Sequence, residues 1–471
     1  MPSLNRAFSL EDQLAFAALS GDFNPIHVDP LLARRLLFGA PVVHGVHLLL
    51  WGLESAWPSE RGPARLAEVS AVFRQPVRVG EDSTCQWDTG SALFLRVSSQ
   101  GRVAAEIECR IEADSASSVS APGSWPLPTR GPCASLGFAE ARAAQGEAPL
   151  WYSPSDMSRR FPRLSSGLPS WQLAALLAMS RLVGMDCPGL RSLMSSLKVV
   201  FGHPEAPPSA LRYRVTKSDA RLSSMRLRVE APGIDGELAV LVRPDPVEQP
   251  SMARLAPLVE PGEFAGMRAL VIGGSRGLGS VAAKLLAAGG GDVRLTYQVG
   301  AMEASKVVEE IRSADGEARA FACDVLDRRL DAAVLAGWAP THLLYFPTPF
   351  ISLNESTTFS IDLFRQYCRY YVEGFVWILA ALSARPGALE VFYPSSAVLD
   401  EVLPKAAEYA GAKAAGEAVC AHLSKAHAGM RCHAPRLPRM LTDRTASVLE
   451  AEAADAGPVV LRELRRMSAR P

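Results

Sequence analysis

The stretch ALVIGGSRGLGSVAAKLLAAGG, residues 269–290, constrains this chain more than any other. Apolar residues Ala269–Ile272 predict a short buried strand, and Gly273 a tight turn. Gly277 and Gly279 then let the backbone approach a pyrophosphate at the N-terminus of a helix. A strand leading directly into a helix belongs to a parallel sheet, because parallel neighbours need a crossover connection. The segments that follow are DVRLTYQ, KVVEEIRSADG, ARAFACDVLD, THLLYFP and LEVFYPSS. They alternate short apolar strands with helical stretches, the rhythm of a doubly wound α/β sheet.

Ser275, Arg276 and Leu278 complete the expected cofactor-binding loop. The second strand ends at Tyr297 and Gln298, so no carboxylate stands ready for a ribose 2′-hydroxyl. Arg276 suits a 2′-phosphate instead, and NADP(H) is expected. Asp324 is expected against the adenine. Tyr409 and Lys413 lie four apart on an expected helix and share one face. A lysine beside a phenol lowers its pKa, which makes Tyr409 a usable acid or base. Ser396, at a strand end, is placed to hold a substrate oxygen.

With GGSRGLG, Ser396 and YAGAK, this third resembles the short-chain dehydrogenase/reductase family. The resemblance implies a Ser–Tyr–Lys site. Tyr409 would give a proton to a carbonyl oxygen and Ser396 would orient it. Lys413 would hold the cofactor ribose and tune Tyr409. The chain departs from the pattern at Ile272, in place of a threonine, and in YFPTP (345–349), in place of N-N-A-G. It departs again at Tyr371, in place of a relay asparagine, and in APRLPRMLTD (434–443), in place of a P-G motif. The tail beyond is short, with no evident last strand.

At the other end, SGDFNPIHVDP (20–30) sets Asp22 and His27 five positions apart around an Asn24-Pro25 turn. A carboxylate and an imidazole suit the addition or removal of water, exchanging proton roles near neutral pH. Taken alone, the stretch reads as a polar turn. The next segment, ARRLLFGAPVVHGVHLLLWGL (33–53), puts Gly45 where an apolar helix begins. Free amides at such a helix start polarise a carbonyl oxygen. The D-x-N-P-x-H turn, the A-x-x-x-x-F-x-x-P-V-V-H-G segment and AVFRQPVRVGE (71–81) together resemble the MaoC-like (R)-specific enoyl-CoA hydratases/dehydratases. The resemblance implies a hot-dog fold, a sheet wrapped round a long helix. It makes Asp22 and His27 catalytic and lets the Gly45 amide bind the thioester oxygen. Asn24 and His44 are expected on the substrate side, and His47 as a core or rim histidine.

The middle third repeats the plan of a helix and several strands. PSWQLAALLAMSRLVGMDCPGLRSLMSSLKVVF (169–201) resembles a degenerate hot-dog repeat without the catalytic pair. Stretches rich in Ser, Pro and Gly (113–132) and in Pro and acidic residues (242–266) read as linkers. The expected architecture is an α+β double hot-dog followed by an α/β Rossmann-type doubly wound parallel sheet. Its domains are residues 1–125 (catalytic hot-dog), 126–250 (second hot-dog, forming the acyl tunnel) and 260–471 (dehydrogenase/reductase).

Lys plus Arg and Asp plus Glu both total 49 in 471 residues, which gives no bulk attraction to nucleic acid. No apolar run reaches the length of a membrane span. The start lacks a signal pattern. Eight scattered cysteines without a C-x-x-C pair fit reduced thiols, no metal site and a cytoplasmic setting. A homodimer is a further expectation.

Both resemblances concern one carbon skeleton. The expected function is therefore bifunctional. NADP(H)-dependent interconversion of 3-oxoacyl and 3-hydroxyacyl thioesters would occur at the C-terminal site. Interconversion of 3-hydroxyacyl and 2-enoyl thioesters would occur at the N-terminal site. The carrier, coenzyme A or a carrier protein, stays open. So do two other readings: a single-activity enzyme whose other half binds ligand, and a non-catalytic sensor of dinucleotide and acyl ligand.

Overall fold

The computed structural model describes residues 1–57, 63–113, 126, 130–351, 358–383, 387–401, 403, 405–443, 445 and 452–469. Most of the expected linker at 113–132 lies outside them. The chain divides into two compact units, with the boundary between Asp245 and Pro246. The segments expected as two domains, 1–125 and 126–250, thus share one unit nearly to its end.

The first unit is built on one antiparallel sheet of ten strands. They are β1 (Ser3–Ala7), β2 (Ala64–Phe73), β3 (Asp82–Thr89), β4 (Leu93–Ser99), β5 (Arg102–Ala113), β6 (Gln145–Pro149), β7 (Ser192–Phe201), β8 (Ala210–Asp219), β9 (Ser224–Ala231) and β10 (Ile234–Val242). Their order is β1-β3-β4-β5-β2-β7-β10-β9-β8-β6. The first half supplies five neighbouring strands and the second half the other five. The antiparallel pairing of β2 with β7, Val69 opposite Val199, joins them. Side chains alternate along β10, with Ile234, Leu238, Val240 and Val242 buried, as a sheet with one covered face requires.

Each half packs one helix against the covered face. Nine of twelve residues of the helix Gly45–Ala56 are buried, and ten of twelve in the helix Ser170–Arg181. A helix apolar nearly all round must sit in a core. Leu49, Leu50 and Leu53 of the first and Leu173, Leu176 and Leu177 of the second belong to one apolar cluster with both sets of strands. The second helix ends in a π-turn, Leu182–Asp186, of the kind often found at functional sites. Strand β1 gave no sequence signal because it is an almost wholly exposed edge with no buried face to impose alternation.

The second unit carries β11 (Arg268–Ile272), β12 (Asp292–Tyr297), β13 (Ala318–Asp324), β14 (Arg329–Leu330), β15 (His342–Tyr345), β16 (Leu389–Phe392), β17 (Ser395–Ser396), β18 (Met430–His433) and β19 (Arg436–Leu437). The main sheet runs β14-β13-β12-β11-β15-β16-β18. Apart from the short antiparallel β14 it is parallel, in the 3-2-1-4-5-6 order of a doubly wound dinucleotide-binding sheet. The helix Gly277–Ala288 packs on one face with the C-terminal helix Ala456–Ser468, which occupies the tail where no last strand was evident. The helices Gly374–Ser383 and Ala407–Ala426 contribute Ile378, Leu379 and Cys420 to a second apolar cluster.

Candidate active sites

In the first unit the chain turns back on itself twice around Asp22. Ser9 caps the helix Leu10–Ser20 with a full capping box, and Gly21 ends it in the left-handed region at φ 75°. Asn24 then caps a short helix, Pro25–Val28, through its side-chain oxygen, with Pro25 at the first position. This puts His27 one turn beyond Asp22. The His27 Nδ1–H donates to the Val42 carbonyl at 2.7 Å, which leaves Nε2 to the site. One ligand atom each of Asp22, His27 and His44 lie within 4.8 Å of one another.

Asp22 is buried. Burial pushes its carboxyl above the ordinary range, against the opposing pull of His27, Ser180 and the Asn24 amide. Burial likewise lowers the His27 imidazole, which Asp22 pulls back up. Both shifts favour the uncharged form of each group. The helix start at Gly45 has His44 as N-cap with no side-chain cap, so its first-turn amides stay available for a carbonyl oxygen. A Cβ at Gly45 would meet the Phe73 ring at 3.0 Å.

Two expected substrate residues have other roles. Asn24 is fully buried and donates both amide hydrogens, to the carbonyls of Gly184 (2.8 Å) and Gly189 (3.1 Å). No donor is left for substrate, so the expectation is corrected: Asn24 holds the second half against the site. His44 is also fully buried, with Nδ1 2.9 Å from Gln13 Oε1 and Nε2 3.0 Å from the Asp22 carbonyl. Its ring stacks on His27 at 3.8 Å between centroids, so it positions His27 rather than binding substrate. His47 is a core histidine between Phe8, Phe16 and Phe161, and burial pushes it down to about 3.

The second half completes the site, which the sequence did not reveal. The Ser180 hydroxyl donates to Asp22 Oδ2 at 2.7 Å. Gly184, in the π-turn, lies so close that a Cβ there would stand 2.1 Å from Asp22 Oδ1. Gly184→Ala must therefore displace the carboxylate. Overpacking of this kind costs about 1–3 kcal/mol, and a misplacement of about 1 Å costs about 10²-fold in rate. A melting curve and a hydration assay check this; an alanine variant with unchanged turnover would show that Asp22 has room to spare.

In the second unit the glycine loop has the shape that dinucleotide binding needs. Gly273 (φ 76°) and Gly277 (φ 55°) are left-handed, and a Cβ at Gly279 would stand 2.3 Å from the Gly273 carbonyl oxygen. Ser275 and Leu278 lie in the same turn and helix start. Arg276 is the helix N-cap and pairs with Asp443 at 3.0 Å. Asp324 accepts from the Leu326 and Asp327 amides and from Gln298 Nε2 at 2.9 Å, so its carboxylate is already engaged.

Ser396 is on β17 beyond the end of β16, near enough for its hydroxyl to pull the Tyr409 phenol down. Tyr409 and Lys413 share one face of the helix Ala407–Ala426. Lys413 Nζ donates to the Pro394 carbonyl at 2.7 Å and lies 4.0 Å above the Tyr371 ring. Burial pushes the Lys413 ammonium down to about 7. The Tyr409 phenol is raised by burial, with the Ser396 hydroxyl working the other way. The expectation that Lys413 lowers the Tyr409 pKa is therefore corrected: desolvation dominates, and the lysine faces the rings of Tyr371 and Tyr393 and a carbonyl. Tyr371, the residue in the asparagine position, bonds Thr348 of YFPTP at 2.6 Å.

The MaoC like domain model matches residues 3–91, and the short chain dehydrogenase model residues 267–452. The chain carries a MaoC-like domain and a short-chain dehydrogenase domain. The MaoC-like match holds Asp22, His27 and Gly45; the dehydrogenase match holds the glycine loop, Ser396, Tyr409 and Lys413. The chain is 40% identical over 85 residues to an (R)-specific enoyl-CoA hydratase of Aeromonas caviae, covering 18% of this chain and 63% of that one. It is 34% identical over 89 residues to the peroxisomal multifunctional enzyme type 2 of Drosophila melanogaster, covering 18% and 15%. The chain thus covers less than two thirds of either relative. A short chain dehydrogenase from Burkholderia cenocepacia, solved in complex with NADP, aligns with 43% of this chain and 91% of its own at 23% identity, TM-score 0.40. No described helix is long and apolar enough to cross a membrane.

Proposed function

We propose that the protein is a bifunctional acyl-thioester enzyme. Its dehydrogenase domain interconverts 3-oxoacyl and 3-hydroxyacyl thioesters with NADP(H). Its MaoC-like domain interconverts 3-hydroxyacyl and 2-enoyl thioesters. The observation that carries the reading is that each domain assembles its own acid–base set: Asp22 beside His27, and Tyr409 with Ser396 near it and Lys413 on the same helix face.

In reduction, the Tyr409 phenol gives its proton to the 3-oxo oxygen, which the Ser396 hydroxyl holds. The nicotinamide, when bound, supplies the hydride. The glycine loop and the helix start at Gly277 suit its pyrophosphate, Arg276 a 2′-phosphate, and Lys413 the ribose. In dehydration, Asp22 and His27 divide two tasks: one removes the C2 proton and the other protonates the departing C3 hydroxyl. The Gly45 amide steadies the thioester oxygen as charge builds there. The second half of the first unit, read as a degenerate hot-dog, serves as the acyl-binding half and buttresses Asp22. Coenzyme A and a carrier protein are both compatible with this reading. Joining the two steps raises the effective concentration of the shared intermediate.

The raised Tyr409 pKa favours the phenol, the form that reduction needs, whereas oxidation needs the phenolate. The oxidative rate is expected to climb with pH more steeply than the reductive rate, and initial-rate profiles in both directions check this. Mass spectrometry of the products from a 3-oxoacyl thioester and NADPH tests the function. A 2-enoyl product supports both steps. Hydroxyacyl product alone leaves only a reductase. No turnover, while a supplied 2-enoyl thioester is hydrated, leaves only a hydratase.

A further inference from the structure

Arg276, the residue read above as the receptor for a 2′-phosphate, already holds an anion. Its Nη1 lies 3.0 Å from Asp443 Oδ2, and the two side chains are only 19% and 9% exposed. The other carboxylate oxygen of Asp443 accepts the Val247 amide at 2.9 Å. The surrounding segment is braced. The Thr442 amide donates to Thr445 Oγ1 at 2.9 Å, and that hydroxyl donates to the Met440 carbonyl at 2.6 Å. Met440 is anchored in the apolar cluster, and Gln249 Nε2 donates to the Leu441 carbonyl at 3.2 Å. Thr442 lies over the helix start, its Cγ2 4.0 Å from where a Gly277 Cβ would stand. The carboxylate is thus built into its place against the cofactor loop.

We propose that Asp443 is an internal competitor for the 2′-phosphate and sets how strongly the domain prefers NADPH over NADH. The proposal rests on the NADP(H) reading above. A guanidinium fork satisfies a carboxylate or a phosphate through the same N–H groups. A 2′-phosphate arriving at Arg276 either displaces Asp443 or sits beside its negative charge, and both oppose binding. NADH lacks that phosphate and does not meet the competitor. The segment stands where the family pattern has a P-G motif, so this carboxylate comes with one of the chain's own departures.

The test is calorimetric titration of the full-length protein with adenosine 2′,5′-bisphosphate and with 5′-AMP, alongside NADPH and NADH. Asp443→Asn keeps the acceptor for Val247 and removes the charge. It is expected to tighten the bisphosphate and NADPH about tenfold, the scale of one charge-assisted hydrogen bond, with 5′-AMP and NADH unchanged. Asp443→Glu, which keeps the charge, is expected to resemble wild type, and melting curves confirm that both variants fold. Unchanged bisphosphate affinity in Asp443→Asn overturns the proposal, as does equal tightening of 5′-AMP, which would mean a loosened segment rather than a removed charge. Arg276→Gln separates the two levels. If it leaves the preference for the bisphosphate over 5′-AMP intact, the NADP(H) reading itself falls. If it abolishes the preference while Asp443→Asn does nothing, only the competitor falls.

Discussion

Asp22→Asn lowers 2-enoyl thioester hydration by about 10²–10⁴-fold, the usual contribution of a positioned acid–base group, and leaves 3-oxoacyl reduction intact. With a 3-oxoacyl substrate and NADPH, the hydroxyacyl thioester then accumulates. The geometry changes little, because asparagine keeps an oxygen for the Asn24 amide, and the Ser180 hydroxyl can accept as well as donate. Folding should not suffer either. The Asp22 carboxyl is raised by burial, so the folded state binds its proton more tightly than the unfolded chain does. The stability it contributes is present at low pH and is lost as pH rises through the folded pKa. At alkaline pH the asparagine variant is therefore expected to melt no lower than wild type. Hydration assays and paired melting curves check the two claims separately; a variant with wild-type hydration would remove Asp22 from the chemistry.

Tyr409→Phe stops the other half-reaction. Without the phenol the proposed proton donor is gone, and 3-oxoacyl reduction is expected to fall by about 10²–10⁴-fold, with hydration of a supplied 2-enoyl thioester unchanged. The ring packs edge-on against Tyr367 and Tyr371 at 5.6 and 5.7 Å between centroids, and phenylalanine preserves those contacts. NADPH binding measured by fluorescence should survive, which separates lost chemistry from lost cofactor. Reduction that persists at the wild-type rate would assign the proton to another group.

Much of this could be read from the chain. The glycine loop, the Tyr409–Lys413 spacing and the Asp22–Asn24–His27 turn are local patterns, written within a few residues, and local geometry follows from local sequence. The parallel sheet of the second unit follows from the same rhythm, because parallel strands need crossovers.

Long-range contacts were not legible. Ser180 and Gly184 lie some 160 residues from Asp22 and carry no motif. Their roles arise because β2 pairs with β7 and brings the second helix under the first half's active turn. The Lys413 charge was expected to lower the Tyr409 pKa, yet burial raised it, since desolvation depends on what surrounds a group and not on its neighbours in sequence. Asp443 reaches Arg276 across 167 positions in the same way. Residue type and spacing named the groups able to do chemistry here. Which of them are free, which are already bonded and which way each pKa moves came from packing, because burial and pairing are properties of the folded surroundings.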